Sequence, residues 1–235
     1  MSELATPAAS TVTESGAAAA RAIVEARRAA QALPGYPGAP PADVPSAYAI
    51  QDAAIAAWPD RVVGWKIGKV PPAVQQTIGA TRLAGPIFAS TVQVLKEGEV
   101  GAFAAIPGGF AAVEAEVIYR LAKDAPVDRT EWSVEEALDL VADMHIGIEP
   151  AGCPLKTVND LGPLVVISAY GNNAGLFVGP AIPGWRDRDP ATLTCATFVN
   201  GEQVGTGVAS SLEGGPAGCF AWLLGQAASR GYPLK

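Results

Sequence analysis

Apolar and polar positions alternate through the middle of the chain and fall at helical spacing toward both ends. From Thr13 to Leu33 the sequence is dense in alanine, with Ile23, Val24, Arg27 and Arg28 at helical intervals. Pro34-Gly-Tyr-Pro-Gly38 and Pro40-Pro41 stop that helix. A second helix is predicted over Ser46–Ala57, halted at Trp58-Pro59. Val62–Ile67 then reads as a short apolar strand, and Pro72–Ile78 as a helix opened by proline. Short runs broken by Gly and Pro follow, which suits a β-rich body, with Ile87–Val94 and Ala112–Leu121 as its clearest strands. Ser133-Val-Glu-Glu136 is a capping box with Trp132 as its staple. It opens a helix whose buried stripe is Val134, Ala137, Leu138 and Val141. Met144–Glu149, Leu164–Ala169, Leu176–Val178, Leu193–Val199 and Gln203–Val208 are predicted strands, the last two joined by an Asn200-Gly201 turn. Pro216–Arg230 is a final helix.

This order divides the chain into a loose tail over 1–12, a mainly helical region over 13–80 that includes the strand of Lys66, and a β-rich body over 81–235. Of the 235 residues 49% are hydrophobic and 17% charged, the balance of a chain with a packed core. A formal net charge of −7 with no basic cluster argues against a nucleic-acid partner. Cys153, Cys195 and Cys219 are odd in number and widely spaced, as expected of reduced thiols in a cytoplasmic protein. No apolar run is long enough to span a membrane, and the Ala/Ser/Thr-rich N-terminus does not read as a signal peptide.

Candidate chemistry lies in three glutamates and one lysine. In Val113-Glu-Ala-Glu-Val-Ile-Tyr119, Glu114 and Glu116 share one face of a predicted strand. Carboxylates that close repel unless one is protonated or a cation lies between them, and a hard divalent ion such as Mg²⁺ suits oxygen ligands. Taken alone, Glu-x-Glu on a strand is usually a solvated face. Glu149 closes Ile146-Gly-Ile-Glu149 and would supply a third carboxylate, or a mere strand end before the Pro150–Pro154 loop. His145, four strand residues away, would sit roughly 13 Å from Glu149 and is read as structural. Lys66 stands in Gly64-Trp-Lys-Ile-Gly68 with glycines on its own strand face, which leaves room for a ligand; a plain surface lysine is the alternative. Beside a metal its ammonium form would be disfavoured, moving it toward proton transfer. The single histidine leaves no Ser-His-Asp or Cys-His arrangement, and the glycine-rich pieces match no nucleotide-binding fingerprint.

Ala47-Tyr-Ala-Ile-Gln51, Gly64-Trp-Lys-Ile-Gly68, Gly85-Pro-Ile-Phe88, Val113-Glu-Ala-Glu116, Ile148-Glu149 and Phe177-Val-Gly-Pro180 occur in an order that resembles the 2-keto-4-pentenoate hydratases. That group belongs, with the 4-oxalocrotonate decarboxylases, to the fumarylacetoacetate hydrolase superfamily. The resemblance implies an α/β (α+β) protein with a distorted mixed β-sandwich or roll and N-terminal helices. It implies one Mg²⁺ or Mn²⁺ held by Glu114, Glu116 and Glu149, with Lys66 as the catalytic lysine and Gly68, Phe88 and Asn172 on substrate-binding segments. The substrate would be a small α-keto acid of aromatic catabolism, hydrated to a 4-hydroxy-2-oxo acid. A decarboxylase of 4-oxalocrotonate type and a non-catalytic assembly subunit are the alternatives. Such enzymes form homo-oligomers, and a hydratase can pair with a decarboxylase. The chain departs from the group at Pro150-Ala-Gly-Cys-Pro154, where relatives carry an Asp-Ser-Arg-type segment that helps hold substrate. Acylpyruvase-type hydrolysis would require a His-Glu pair near the N-terminus, and no histidine precedes His145.

Overall fold

A computed structural model describes residues 11–235, so most of the expected tail over 1–12 lies outside the described residues. Two helices come first. Helix α1 (Glu14–Arg28) is capped by the Thr13 hydroxyl, which accepts from Gly16 N at 3.1 Å. Helix α2 (Val44–Ala57) begins at Asp43, which forms a reciprocal capping box with Ser46. The small residues Ala19, Ala20, Ala47 and Ala54 are almost wholly buried, which lets the two helices approach closely.

Strand β1 (Val62–Lys69) is followed by α3 (Pro72–Ile78) and by β2 (Arg82–Phe88), and β1 pairs antiparallel with β2 so that Lys66 faces Gly85. The predicted single strand Ile87–Val94 is broken. A 3₁₀ turn at Ala89–Thr91 ends β2 and sends the chain as β3 (Val92–Val94) into another sheet. That sheet also holds β4 (Phe110–Leu121), β5 (Val141–Cys153) and β6 (Leu176–Ala181), in the order β3-β6-β5-β4. β3 lies parallel to β6 and the other pairs are antiparallel, giving the mixed sheet expected of the fold. Between β4 and β5 the capping box at Ser133 opens only a short α4 (Val134–Leu138), and Val141 already belongs to β5.

Leu164–Ala169 is not a strand. It is helix α5 (Pro163–Ser168), with proline in its first turn and Val165, Val166 and Ile167 buried. A short apolar run buried on all sides carries no periodicity that separates strand from helix, and Pro163 favours the helix. The hairpin β7 (Thr194–Val199) and β8 (Glu202–Val208) turns at Asn200 and Gly201, both at positive φ, as predicted. Helix α6 (Gly215–Ser229) packs against α4 around Phe220 and Leu224.

Two features tie the layers together. The first is a left-handed turn after α5, where Tyr170, Gly171 and Asn172 have φ of 66°, 61° and 65°. Such geometry costs on the order of 1 kcal/mol for each non-glycine residue. It is held because the Tyr170 ring packs on Trp58 and Phe88, and its hydroxyl donates to Ala54 O at 2.7 Å. The backbone of this turn lies on Gly85, where a Cβ would collide with the Tyr170 carbonyl. The second feature is Arg230, just past α6. Its guanidinium lies over the rings of Tyr48, Trp65 and Tyr232, pairs with Asp52, and donates to Gln51 Oε1 at 2.7 Å. Fully buried Gln51 in turn donates to Ala84 O and Ile167 O at 2.9 and 2.7 Å, joining α2 to β2 and α5.

Replacing Arg230 strips that buried amide oxygen of its donor and removes the stack on three rings. Arg230→Met should therefore lower stability by roughly 2 kcal/mol in urea unfolding. A change below about 0.5 kcal/mol would show that this clamp contributes little.

Candidate metal centre

Strands β4 and β5 run side by side with Glu114 opposite Glu149 and Glu116 opposite Gly147. Alternation puts Glu114 and Glu116 on one face, and the register brings Glu149 onto it. One carboxylate oxygen from each of the three lies within 4.8 Å of the others. Gly147 is required where it stands, because a Cβ there would run into the Ile118 side chain and the Phe177 carbonyl. Its bare backbone leaves Glu116 without a facing side chain.

Lys66 projects from β1 into the same cluster. Its Nζ lies 3.3 Å from Glu149 Oε2 and 3.6 Å from Glu114 Oε2. The side chains of Lys66 and Glu149 are 9% and 1% exposed, whereas that of Glu114 is 44% exposed, so solvent and ligand reach the cluster from the Glu114 side. Glu149 Oε1 accepts from Asn173 Nδ2 at 3.2 Å, while Oε2 is buried without a hydrogen-bond partner among the described residues. Burial opposes the Lys66 ammonium, but the carboxylates of Glu149, Glu114 and Glu116 outweigh it and raise its pKa. The lowering expected beside a metal is therefore not a property of the protein groups by themselves. Burial drives Glu149 and Glu116 up to about 7, against the opposing pull of Lys66 and reinforced by their carboxylate neighbours.

Three clustered carboxylates share a single ammonium, and one buried oxygen among them makes no hydrogen bond to the described residues, which fits a hard divalent cation. Glu114, Glu116 and Glu149 are the residues that could hold it.

No protein-family model matches the chain. Among solved structures it is similar to a 4-oxalocrotonate decarboxylase from Pseudomonas putida G7 complexed with calcium and acetate. That match has a TM-score of 0.70 and 18% identity, covering 95% of this chain and 85% of the other. A second structure of that decarboxylase, with magnesium and adipate, matches with a TM-score of 0.68 and 19% identity over the same shares. A fumarylpyruvate hydrolase from Pseudomonas aeruginosa in complex with Mn²⁺ and pyruvate matches at 0.50 and 16%, over 75% of this chain and 74% of that one. The chain has the fold of the fumarylacetoacetate hydrolase superfamily. The neighbours named here, a decarboxylase and a hydrolase, were each solved with a divalent metal.

The remaining residues singled out from sequence lie as follows. Gly68 is two residues along β1 from Lys66, and a Cβ there would come within 3.5 Å of Nζ. Phe88 is buried with Trp58 and Tyr170, in the core under the lysine strand. Asn172 is buried and donates to Asn159 Oδ1 at 2.9 Å, while its own Oδ1 has no partner. Its neighbour Asn173, which sequence pattern did not single out, is the residue that touches Glu149; adjacency in Asn172-Asn173 was the only signal. His145 contacts Asp143 Oδ1 and the Gly179 carbonyl, outside the cluster, as read from strand spacing. Pro150–Cys153 continues β5 into the core, and the segment brings no polar side chain to the cluster.

The raised carboxylates set a pH dependence for the metal-free protein. A carboxyl group with a folded pKa near 7 and an ordinary value of 4.5 holds more protons folded than unfolded between those limits. Stability should therefore fall as pH rises from about 4.5 to 7, by roughly 3 kcal/mol for Glu149 if fully expressed. Saturating Mg²⁺ should remove most of that slope, which thermal melts across this range with and without the ion would measure. A flat metal-free profile would contradict the buried charge assignment.

Proposed function

We propose that the chain is a divalent-metal-dependent lyase that hydrates 2-hydroxy-2,4-dienoates of the 2-oxopent-4-enoate type to 4-hydroxy-2-oxo acids. The observation that carries this reading is the Lys66 ammonium 3.3 and 3.6 Å from two members of a three-carboxylate cluster that opens to solvent on one side. When bound by Glu114, Glu116 and Glu149, Mg²⁺ or Mn²⁺ would supply an electrophile for the carboxylate and 2-oxo oxygens of a small α-keto acid.

The work left to the protein is proton transfer. Ketonisation moves a proton from the dienol 2-hydroxyl oxygen to C5, leaving a C3=C4 double bond conjugated to the 2-oxo group. Water then adds, its oxygen to C4 and a proton to C3. We assign the transfer of these protons to Lys66 Nζ, supported by its lying within ion-pair distance of two of the three glutamates. Burial around Glu149 and Lys66 restricts bulk water near the reacting carbons, while exposed Glu114 marks the side of entry.

Decarboxylation of a 4-oxalocrotonate-type substrate is the second reading, favoured by the fold shared with that enzyme. A dicarboxylic substrate calls for another cation. Arg82, the nearest in sequence, alternates with Leu83, the register partner of Gly68, and so falls on the face of β2 opposite the one that meets Lys66. Its guanidinium donates to the Glu213 carbonyl. Among the described residues Lys66 is the one cation within ion-pair distance of any of the three glutamates, pairing with Glu114 and Glu149, which favours a monocarboxylate.

A homo-oligomer belongs to the same proposal, supported by exposed apolar Val113, Ile146 and Ile148 on the outer face of β4 and β5 and Phe198, Val199 and Val204 on the β7–β8 hairpin. Pairing with a decarboxylase subunit would use such a surface. Among the described residues no helix is long and apolar enough to cross a membrane. Three free cysteines, two of them buried, support a reducing, cytoplasmic setting.

Supplying 2-hydroxypenta-2,4-dienoate with Mg²⁺ and identifying the product by NMR tests the reading. The expected product is 4-hydroxy-2-oxopentanoate, whereas carbon dioxide from the dicarboxylic analogue alone would favour decarboxylation. Lys66→Met should bind metal but lose about 100-fold or more in kcat, and Glu116→Gln should lose at least about tenfold in metal affinity. Wild-type values in both variants would remove the proposed site.

A further inference from the structure

We infer that Arg27 is a positioning residue for the metal centre, acting on Glu149 through the turn that carries Asn173. The inference rests on the metal reading of the three-glutamate cluster and deepens it.

Arg27 lies in the last turn of α1, far in sequence from every glutamate of the cluster. Its guanidinium makes three long-range hydrogen bonds, all to main-chain carbonyls: Asn173 O at 3.0 Å, Gly152 O at 2.9 Å and Ala169 O at 3.0 Å. It also lies over the Tyr170 ring, 4.9 Å from its centroid. Nε is buried without a partner, and among the described residues no carboxylate comes within ion-pair distance. Burial opposes its charge. A buried cation without a counter-ion is a poor stabilising device, since an apolar side chain of similar volume fills such a space at less desolvation. The identity of its acceptors gives it another role.

Those acceptors lie on both sides of Glu149's support. Gly152 belongs to β5, three residues beyond Glu149. Ala169 and Asn173 bracket the left-handed turn at Tyr170–Asn172. Asn173 is further fixed by an isolated bridge to Ala151, by the Ala174 N–H donating to Pro150 O at 2.9 Å, and by its own Nδ2 donating to Gly175 O at 3.1 Å. That same Nδ2 reaches Glu149 Oε1 at 3.2 Å. Engaging Oε1 leaves Oε2 as the oxygen facing Lys66, and Oε2 is the one without a hydrogen-bond partner. The guanidinium fork thus holds the turn, the turn aims Asn173, and Asn173 selects which oxygen of Glu149 is offered to a cation.

The test is Mn²⁺ titration, read by the EPR signal of the free ion, on wild type, Arg27→Lys, Asn173→Ala and the double variant. Circular dichroism identifies the folded proteins, and each titration is run well below the unfolding midpoint. Lysine keeps the charge but cannot span three carbonyls. Arg27→Lys and Asn173→Ala should each weaken Mn²⁺ binding about tenfold or more. The double variant should be no weaker than Asn173→Ala by more than about twofold, because both changes remove one linkage. Arg27→Lys that is merely less stable but binds Mn²⁺ like wild type would overturn the inference, as would losses that multiply in the double variant. If Arg27→Lys does not fold, Asn173→Ala decides, and wild-type affinity there overturns the route. Wild type that fails to bind Mn²⁺ would instead overturn the metal reading itself.

Discussion

The convergence of three carboxylates on one ammonium in a largely buried place is the interaction on which the rest of the structure depends. Lys66 neutralises only part of the charge that Glu114, Glu116 and Glu149 bring, and burial makes the remainder expensive. Nearby features follow from that constraint. Gly147 leaves Glu116 without a facing side chain, Asn173 satisfies one oxygen of Glu149, and Glu114 is the most exposed of the three glutamates. A site that is under-neutralised in this way is poised to gain free energy from a cation, which is the physical content of the metal reading.

The scaffold keeps that arrangement by setting the distance between two separate sheets. Lys66 comes from the β1–β2 pair and the glutamates from the four-stranded sheet, with no hydrogen-bonded strand joining them. The left-handed turn at Tyr170–Asn172 bridges the gap. Its backbone lies on Gly85, the register partner of Lys66, and the next residue, Asn173, reaches Glu149. A rigid, strained turn suits this task because small shifts there would change the amine-to-carboxylate distances directly. Behind it the rings of Trp58, Phe88 and Tyr170 and the buried Gln51 lock the same elements into the core.

The chemistry follows from the same asymmetry. The cluster offers one cationic side chain and three acidic ones, an excess of negative charge that suits a divalent cation. Arg82 falls on the far face of its strand, and the Pro150–Cys153 segment leads into the core, so neither brings a charge to the cluster. The resemblance in fold extends to a 4-oxalocrotonate decarboxylase and a fumarylpyruvate hydrolase.

Local pattern was sufficient for the pieces whose physics is local. The capping boxes at Asp43 and Ser133, the proline-opened α3, the Asn200-Gly201 hairpin and the Glu-x-Glu face of β4 all follow from residues within a few positions of one another. Pattern failed at two runs for different reasons. Leu164–Ala169 has no exposed face to reveal its period, and Ile87–Val94 has no local signal for the turn that moves it between sheets. By itself the sequence determined which strand faces carry Lys66, Glu114 and Glu116, because alternation along a strand is fixed by backbone geometry. Only the tertiary structure decided that Glu149 lies opposite Glu114, that Asn173 and not Asn172 touches it, and that Arg27 supports the turn between them. Those relations depend on strand register and on contacts across more than a hundred residues, which no local rule encodes.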